Sequence, residues 1–558
     1  MPSELDQRYD AVLAAVIGPG GRIVLGRDSQ GRAYVDNFPP TLPMFFKTFC
    51  ALNGAVEAVI TASERLTFAE LDQWSDRLAK ALVARHGIAK GDRVGIAMRN
   101  APAWIVAHMA VLKAGGVSTL INGWWQRHEL EHALQLTTPT LIIADSARAA
   151  RCAGLAGCSA VIDLPIELAI GEALAPLLGD EAGLDDVAMP ELVPSDPATI
   201  LFTSGSTGES KGALSTHRAV TTGIYTYATG LLTMLGIMES SGQPPANPPK
   251  TLVNVPLFHV TGEVPVLLNS FVVGRGMVLM PKWDAGEALR LIEREKVTYF
   301  VGVPTMSLEL MNHPDRHTFD LSSLTDIAAG GAPRPIAHVK RLQESFATAQ
   351  PAIGYGLTET NAVGCSNFWG NYAAKPASTG RAHKPFVEIA ILGAEDVHLP
   401  QGERGEVCIR TAANIDCYWN NPAATVAAFT SDGFFRTGDI GYLDEDEYLF
   451  IVDRKKDIII RGGENIAAAE VEAAIYAHPA IAEAAVFGVP DERLGEVPVA
   501  IVHAAEGYEL DEGHLRAFLG ERLAAFKIPA RFVISDAPLP RLGTGKIDRV
   551  VLKARFPA

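Results

Sequence analysis

Leu201-Phe-Thr-Ser-Gly-Ser-Thr-Gly-Glu-Ser-Lys-Gly212 is crowded with hydroxyls and glycines and carries a lysine near its end. It follows the apolar run Ala198 to Phe202, which predicts a buried strand. Glycines let a backbone turn its N–H groups inward, Thr203, Ser204, Ser206 and Thr207 add hydroxyl donors, and Lys211 adds a point charge. The combination makes a cradle for a polyphosphate. It is not a Walker A loop, because that pattern has glycine immediately before the lysine and Ser210 stands there. A strand running into such a loop predicts an α/β fold with its ligand at the carboxyl end of the strand.

Working outward, the same alternation recurs. Strands are expected at 94–98, 116–121 and 141–144, with helices at 103–113 and 129–135 between them. A second series is expected at 285–296 (helix), 298–301 (strand), 326–329 (strand) and 335–346 (helix). This is the pattern of parallel sheets covered by helices. From Val387 to Arg410 the pattern changes to short alternating strands with glycine turns, which predicts a small β subdomain. The most apolar stretch, Leu252 to Met280, is broken by Asn254, His259, Glu263, Asn269 and Arg275, and reads as buried strands and turns rather than a membrane span. After Asp453 a compact α+β unit is readable, with helices at 468–477 and 511–525 and strands at 483–487 and 497–502.

At 558 residues, 48% of them hydrophobic, the chain is too long for one ordinary domain. The expected division is 1–455 and 456–558. Against 48 Lys and Arg stand 64 Asp and Glu, a net charge of −16, which argues against nucleic acid and anionic lipid as partners. The six cysteines form no C-x-x-C pair, and the first ten residues lack an apolar signal core, so a reduced, cytoplasmic protein is expected. Peripheral membrane contact and a homodimer are compatible with this composition.

Four more segments follow the hydroxyl-rich loop in order. They are Pro256-Leu-Phe-His-Val-Thr-Gly262, Gly354-Tyr-Gly-Leu-Thr-Glu-Thr360, Phe435-Arg-Thr-Gly-Asp439 with Asp453-Arg-Lys-Lys-Asp457, and Pro540-Arg-Leu-Gly-Thr-Gly-Lys546. Over roughly residues 40 to 555 the ordered set resembles the adenylate-forming superfamily: acyl-CoA synthetases, aryl-CoA ligases, peptide-synthetase adenylation domains and beetle luciferases. The resemblance implies an α/β protein with a large N-terminal domain of parallel-sheet subdomains plus a small β subdomain, and a mobile small α+β C-terminal domain. It also implies ATP, Mg²⁺ and coenzyme A. A carboxylate does not react with a thiol unaided, because oxide would have to leave. Attack on the α-phosphorus of ATP expels pyrophosphate, and a thiolate then displaces AMP from the acyl-adenylate.

The roles that the resemblance implies fall on particular residues. Thr203, Ser204, Gly205, Ser206, Thr207, Gly208 and Lys211 hold the β- and γ-phosphates. Glu359 is a hard oxygen ligand for Mg²⁺, and Thr358 donates to the α-phosphate. Tyr355, between Gly354 and Gly356, offers a face to adenine, with backbone from Gly330, Gly331 and Ala332. Asp439 accepts the ribose hydroxyls, and Arg454 contributes across the domain boundary. Lys546, at the tip of Gly-Thr-Gly-Lys, neutralises charge between carboxylate and α-phosphate, and His259 lies beside the carboxylate. Rotation about Lys456 withdraws Lys546 and presents Gly462 and Gly463 to pantetheine, with Asn465 holding the adenylate phosphate. Where the family usually has proline, this chain has Ser210.

Gly331 and Gly356 place no side chain in the cleft, and 260–264 is mostly apolar apart from Thr261 and Glu263. The expected acid is therefore a medium- or long-chain fatty acid or another bulky apolar acid, with an aryl acid as the alternative. The chain contains no obvious carrier domain, which favours free coenzyme A over a separate carrier protein as acceptor. A non-catalytic nucleotide binder would have no need of Lys546.

Overall fold

A computed structural model describes residues 2–158, 160–203, 210–454, 457–461, 464–491, 493–542 and 545–555. Two large sheets form the body. In the first, of seven strands, Val117–Leu120, Arg93–Ala97, Leu141–Asp145 and Val161–Leu164 run parallel, and Pro197–Phe202 joins them beside Val117–Leu120. Gly212–Thr216 then returns antiparallel to Pro197–Phe202, so the hydroxyl-rich loop spans the top of a hairpin. The central strands are apolar on both faces because helices cover both, as parallel sheets require.

In the nine-stranded second sheet, Gln350–Gly356, Asp326–Ala329, Tyr299–Gly302, Lys250–Val253 and Gly276–Leu279 lie side by side and parallel. Gly364–Phe368 folds back antiparallel on Gln350–Gly356. Alternate residues face opposite cores. Val301 and Ala328 join the large central cluster, while Phe300 and Ile327 join the one beneath helix Ala285–Glu295. The β subdomain is a four-stranded antiparallel sheet, Val387–Leu392, Gly405–Thr411, Phe435–Leu443 and Leu449–Arg454. A separate five-stranded sheet follows, built on the long hairpin Ile481–Asp491 and Gly495–Ala504. It has its own core of Val471, Ile475, Val486, Val502 and Leu519. No helix among the described residues is long and apolar enough to cross a membrane.

Three expectations need correction. The stretch 252–280 is not all strand and turn: a π-helical segment, Gly262–Leu268, runs into helix Asn269–Val273. Its residues are apolar on nearly every side, so no periodicity marks it as helix. The segment 354–360, expected from the sequence to follow a strand end, begins inside the strand: Gly354 and Gly356 belong to Gln350–Gly356, because Gly364–Phe368 extends the pairing. The helix expected at 511–525 ends at Gly520, a poor helix former. The sequence reading also missed helix Glu4–Ile17. Ser3 and Asp6 form its capping box, and buried Asp6 accepts hydrogen bonds from Tyr448, Asn371 and Arg381.

The π-helical segment carries Glu263, which is wholly buried and faces His108 of helix Pro102–Lys113, Oε1 to Nε2 at 3.7 Å. Among the described residues neither carboxylate oxygen has a hydrogen-bond partner, and neither has His108 Nε2. Burial raises the Glu263 pKa to about 8 and lowers that of His108 to about 3, so at neutral pH both are uncharged. For a carboxyl raised on folding, stability is greatest below its unfolded value and is lost as pH rises toward the folded one. Glu263→Gln should therefore differ little from the parent near pH 4.5. It should gain stability relative to it by pH 8.5, by at most about 5 kcal/mol. Urea denaturation at the two pH values measures this, and an advantage that does not grow with pH would contradict a neutral Glu263.

Candidate active site

The cleft lies where the carboxyl ends of strands from both large sheets meet the β subdomain. The hairpin that carries the hydroxyl-rich loop closes with Thr203 N–H donating to Lys211 O at 2.9 Å. Ser204, Gly205, Ser206, Thr207 and Gly208 lie outside the described residues. Ser210, standing where the family has proline, has its carbonyl fixed by His132 Nε2 at 2.9 Å. That bond needs Nε2 protonated. Trp125 packs edge-on against Phe202, and Trp124 is exposed beside Arg148.

Lys211 Nζ sits 4.8 Å from the ring centroid of Tyr418, whose hydroxyl donates to Glu359 Oε1 at 2.7 Å. Burial and the neighbouring carboxylate push the Tyr418 phenol upward, so it stays a donor. Tyr418 thus joins the phosphate-loop lysine to the acidic residue. No sequence signal marked it, since it reaches the cleft only through the short edge strand Cys417–Tyr418. Glu359 is nearly buried in the turn Thr358–Thr360. A hard carboxylate beside a phosphate-binding lysine suits Mg²⁺, which takes few protein ligands and keeps phosphate oxygens and water. No cluster of three His, Cys, Asp or Glu exists among the described residues.

On the opposite wall, Tyr355 donates its hydroxyl to Asp439 Oδ2 at 2.6 Å. Asp439 therefore already serves one protein donor, which the sequence reading did not foresee; a carboxylate retains further acceptor sites. Asp439 pairs in register with Arg454 across the hairpin of the β subdomain. Gly356 is indispensable to this wall, because a Cβ there would lie 2.1 Å from Ala362 O. Gly330, Gly331 and Ala332 follow strand Asp326–Ala329, and Gly331 has a left-handed φ of +74°.

Lys546 comes from the small C-terminal sheet region yet reaches this same point. A Cβ on Gly331 would stand 3.2 Å from Lys546 Cε and 3.5 Å from its Nζ. The hairpin that presents it is closed by Leu542 N–H to Lys546 O and by Arg541 Nη1 to Gly545 O. It docks through Arg541 Nη1 on Thr305 Oγ1 at 3.2 Å and Gly545 against Val303. His259 follows strand Lys250–Val253, and its Nδ1 accepts from Thr261 N–H at 3.3 Å. Burial, with a smaller contribution from Lys546, lowers its pKa to about 3. Lys456, Gly462 and Gly463 lie outside the described residues, and Asn465 is described only as backbone of strand Glu464–Ala467.

The model for the AMP-binding enzyme family matches residues 46–419, and that for the AMP-binding enzyme C-terminal domain matches 470–546. A feruloyl-CoA synthase of Amycolatopsis sp is 35% identical over 89% of this chain and 96% of its own. A long-chain-fatty-acid–CoA ligase of Bacillus subtilis is 33% identical over 92% and 96%. Among solved structures, o-succinylbenzoate coenzyme A synthetase from Bacillus subtilis, in complex with ATP and magnesium ion, superposes with a TM-score of 0.75. It is 29% identical, covering 91% of this chain and 99% of that one.

The proximity of Lys546 to His259 has a spectroscopic consequence. An imidazole titration by NMR should find His259 neutral down to pH 5. In Lys546→Met its pKa should rise yet stay below 6.5, because burial is the larger cause. A wild-type value near 6.5, or no response to the substitution, would contradict the influence of Lys546 on His259.

Proposed function

The chain belongs to the AMP-binding enzyme family and is an AMP-forming acyl-CoA ligase using ATP, Mg²⁺ and coenzyme A, and from that premise we propose that it activates a bulky, largely apolar carboxylic acid. A medium- or long-chain fatty acid and a ring-bearing acid fit equally well: the relatives include a feruloyl-CoA synthase and a long-chain-fatty-acid–CoA ligase.

The observation that carries the residue roles is the seating of Lys546 on Gly331 beside His259. In this reading Thr203, Lys211 and the loop 204–208 hold the leaving pyrophosphate. Thr358 donates to the α-phosphate. Glu359, oriented by Tyr418, binds Mg²⁺, which screens phosphate charge when bound. Tyr355 and the backbone of 330–332 flank adenine, while Asp439 and Arg454 take the ribose. Lys546 neutralises the charge between attacking carboxylate and α-phosphate, and neutral His259 lines the carboxylate's approach without adding a second cation. The domains divide as 1–455 and 456–558. After adenylation, rotation about Lys456 lifts Lys546 away and brings Gly462, Gly463 and Asn465 to the adenylate, where coenzyme A attacks.

The substrate reading rests on open space. A Cβ at Gly354 would meet nothing within 4 Å, and one at Gly330 would meet only Gly354 O at 3.8 Å. Room of that kind beside the reaction centre suits a wide acyl group.

Two experiments test this. Purified protein with ATP, Mg²⁺ and a graded acid library, assayed by mass spectrometry with and without coenzyme A, should yield acyl-CoA from bulky acids and little from acetate. Acyl-AMP unchanged by coenzyme A would instead indicate a carrier-loading enzyme. Lys546→Ala should slow adenylation by ~10²–10³ while leaving thioester formation from preformed acyl-adenylate within a few-fold. Equal loss of both steps would overturn the two-conformation reading.

A further inference from the structure

The face of the nine-stranded sheet that looks toward helix His217–Ser240 is floored by small residues near the reaction centre and by large polar ones far from it. Along adjacent strands this face carries Gly354 and Ala352, then Gly330, Ala328 and Asp326, then Val301 and Tyr299. The register pairs Tyr299 with Asp326 and Ala328 with Ala352. From the Gly330 row to the Tyr299 row is four residues, ~13 Å at ~3.3 Å per residue. The open space noted at Gly330 and Gly354 lies at the near end of this row of residues.

Two groups at the far end stand out among the described residues, a hydroxyl without a hydrogen bond and a guanidinium without an anion. The Tyr299 hydroxyl makes no hydrogen bond with any described residue, although burial raises its pKa to about 12 and keeps it a neutral donor. The residue is only partly covered despite its interior position, so it borders internal space. Arg275 is 6% exposed and has no ion-pair partner among the described residues. Its Nε donates to Ser270 Oγ at 3.0 Å and its Nη2 to Pro265 O at 3.0 Å and Val266 O at 3.4 Å. Its guanidinium carbon stands 5.0 Å from the Tyr299 ring centroid. The other polar groups facing Tyr299 are already engaged. Tyr227 donates to Ala362 O at 2.6 Å, and Asp326 accepts from Thr325 at 2.8 Å and Trp369 at 3.1 Å. A donor that faces open space without an acceptor, with a buried cation against its ring, is suited to receive a ligand oxygen.

We propose that the acid activated here carries a hydrogen-bonding oxygen at the end remote from its carboxylate, and that Tyr299, with Arg275 behind it, receives that oxygen and sets specificity. The separation of the two polar ends is at most roughly 13 Å, from the strand spacing. The proposal rests on the ligase reading above and narrows its substrate class from bulky apolar acids to acids polar at both ends. A site built to bond a substrate oxygen discriminates strongly against the analogue that lacks it, because its own donor is then left unpaired.

The test uses the full-length enzyme and matched acids, 4-hydroxycinnamate with cinnamate and 8-hydroxyoctanoate with octanoate, assayed for acyl-CoA formation. In at least one pair the oxygenated member should have the higher kcat/KM, by ten-fold or more. Tyr299→Phe should erase that preference by slowing the oxygenated acid ten-fold or more while leaving its partner unchanged or faster. Thermal stability of the variant should not fall, since the hydroxyl holds no protein group. Acyl-CoA formation in which the unsubstituted acids are used as well or better, or a Tyr299→Phe variant that affects both members alike, would overturn the proposal and leave the ligase reading intact. Failure of every acid in the pairs and the graded library to give a thioester would overturn the ligase reading, and this proposal with it.

Discussion

The cleft depends on Gly331 having no side chain. Its φ of +74° is strained for any residue with a Cβ, by about 1–2 kcal/mol. The space a Cβ would fill borders the end of the Lys546 side chain, 3.2 Å away. A side chain at this position would crowd the end of Lys546 where it lies against the large body. The described contacts that deliver it include an Arg541–Thr305 hydrogen bond and Gly545 against Val303.

The chain is acidic overall, yet its substrates are anions, so attraction has to be local. In the reading proposed above it is supplied by lysines, Lys211 at the hairpin and Lys546 at the C-terminal tip. Burial keeps His259 uncharged near Lys546, and it also keeps His108 and Glu263 uncharged in the core. Fixed point charges in a region of suppressed ionisation act at low effective dielectric, where each is worth more than in water.

Much of this was legible in the sequence, for physical reasons. Strand–loop alternation exposed both parallel sheets, and Asp326–Ala329 and Leu141–Asp145 fall where periodicity puts them. Local motifs exposed the residues whose chemistry depends on their immediate neighbours, such as Thr358-Glu359 and the tip that carries Lys546. What stayed hidden depends on distant pairing. Tyr418 reaches Glu359 only because a two-residue edge strand pairs with Gly212–Thr216. His132 reaches Ser210 O across 78 residues of chain. The π-helical segment is hidden because a helix apolar all round has no period to read. Glu263, expected among the residues walling the acyl space, instead points back into the core.

The small-residue face of the nine-stranded sheet was hidden for a related reason. Ala328, Gly330, Ala352 and Gly354 are unremarkable singly, and only the register of adjacent parallel strands aligns them into a floor. That alignment also governs what the far end can be. A floor of glycine and alanine contributes shape but no directional bonds, so it accepts acyl groups of many kinds and distinguishes few of them. Directional preference has to come from wherever polar atoms border the same space without a partner in the protein. On this face the groups beyond the floor are Tyr299, Tyr227, Asp326 and Arg275, and the second and third are already satisfied. The burden of selection then falls on the phenol of Tyr299 and the guanidinium against its ring, at a depth where one unmade hydrogen bond outweighs the gain from an added methylene.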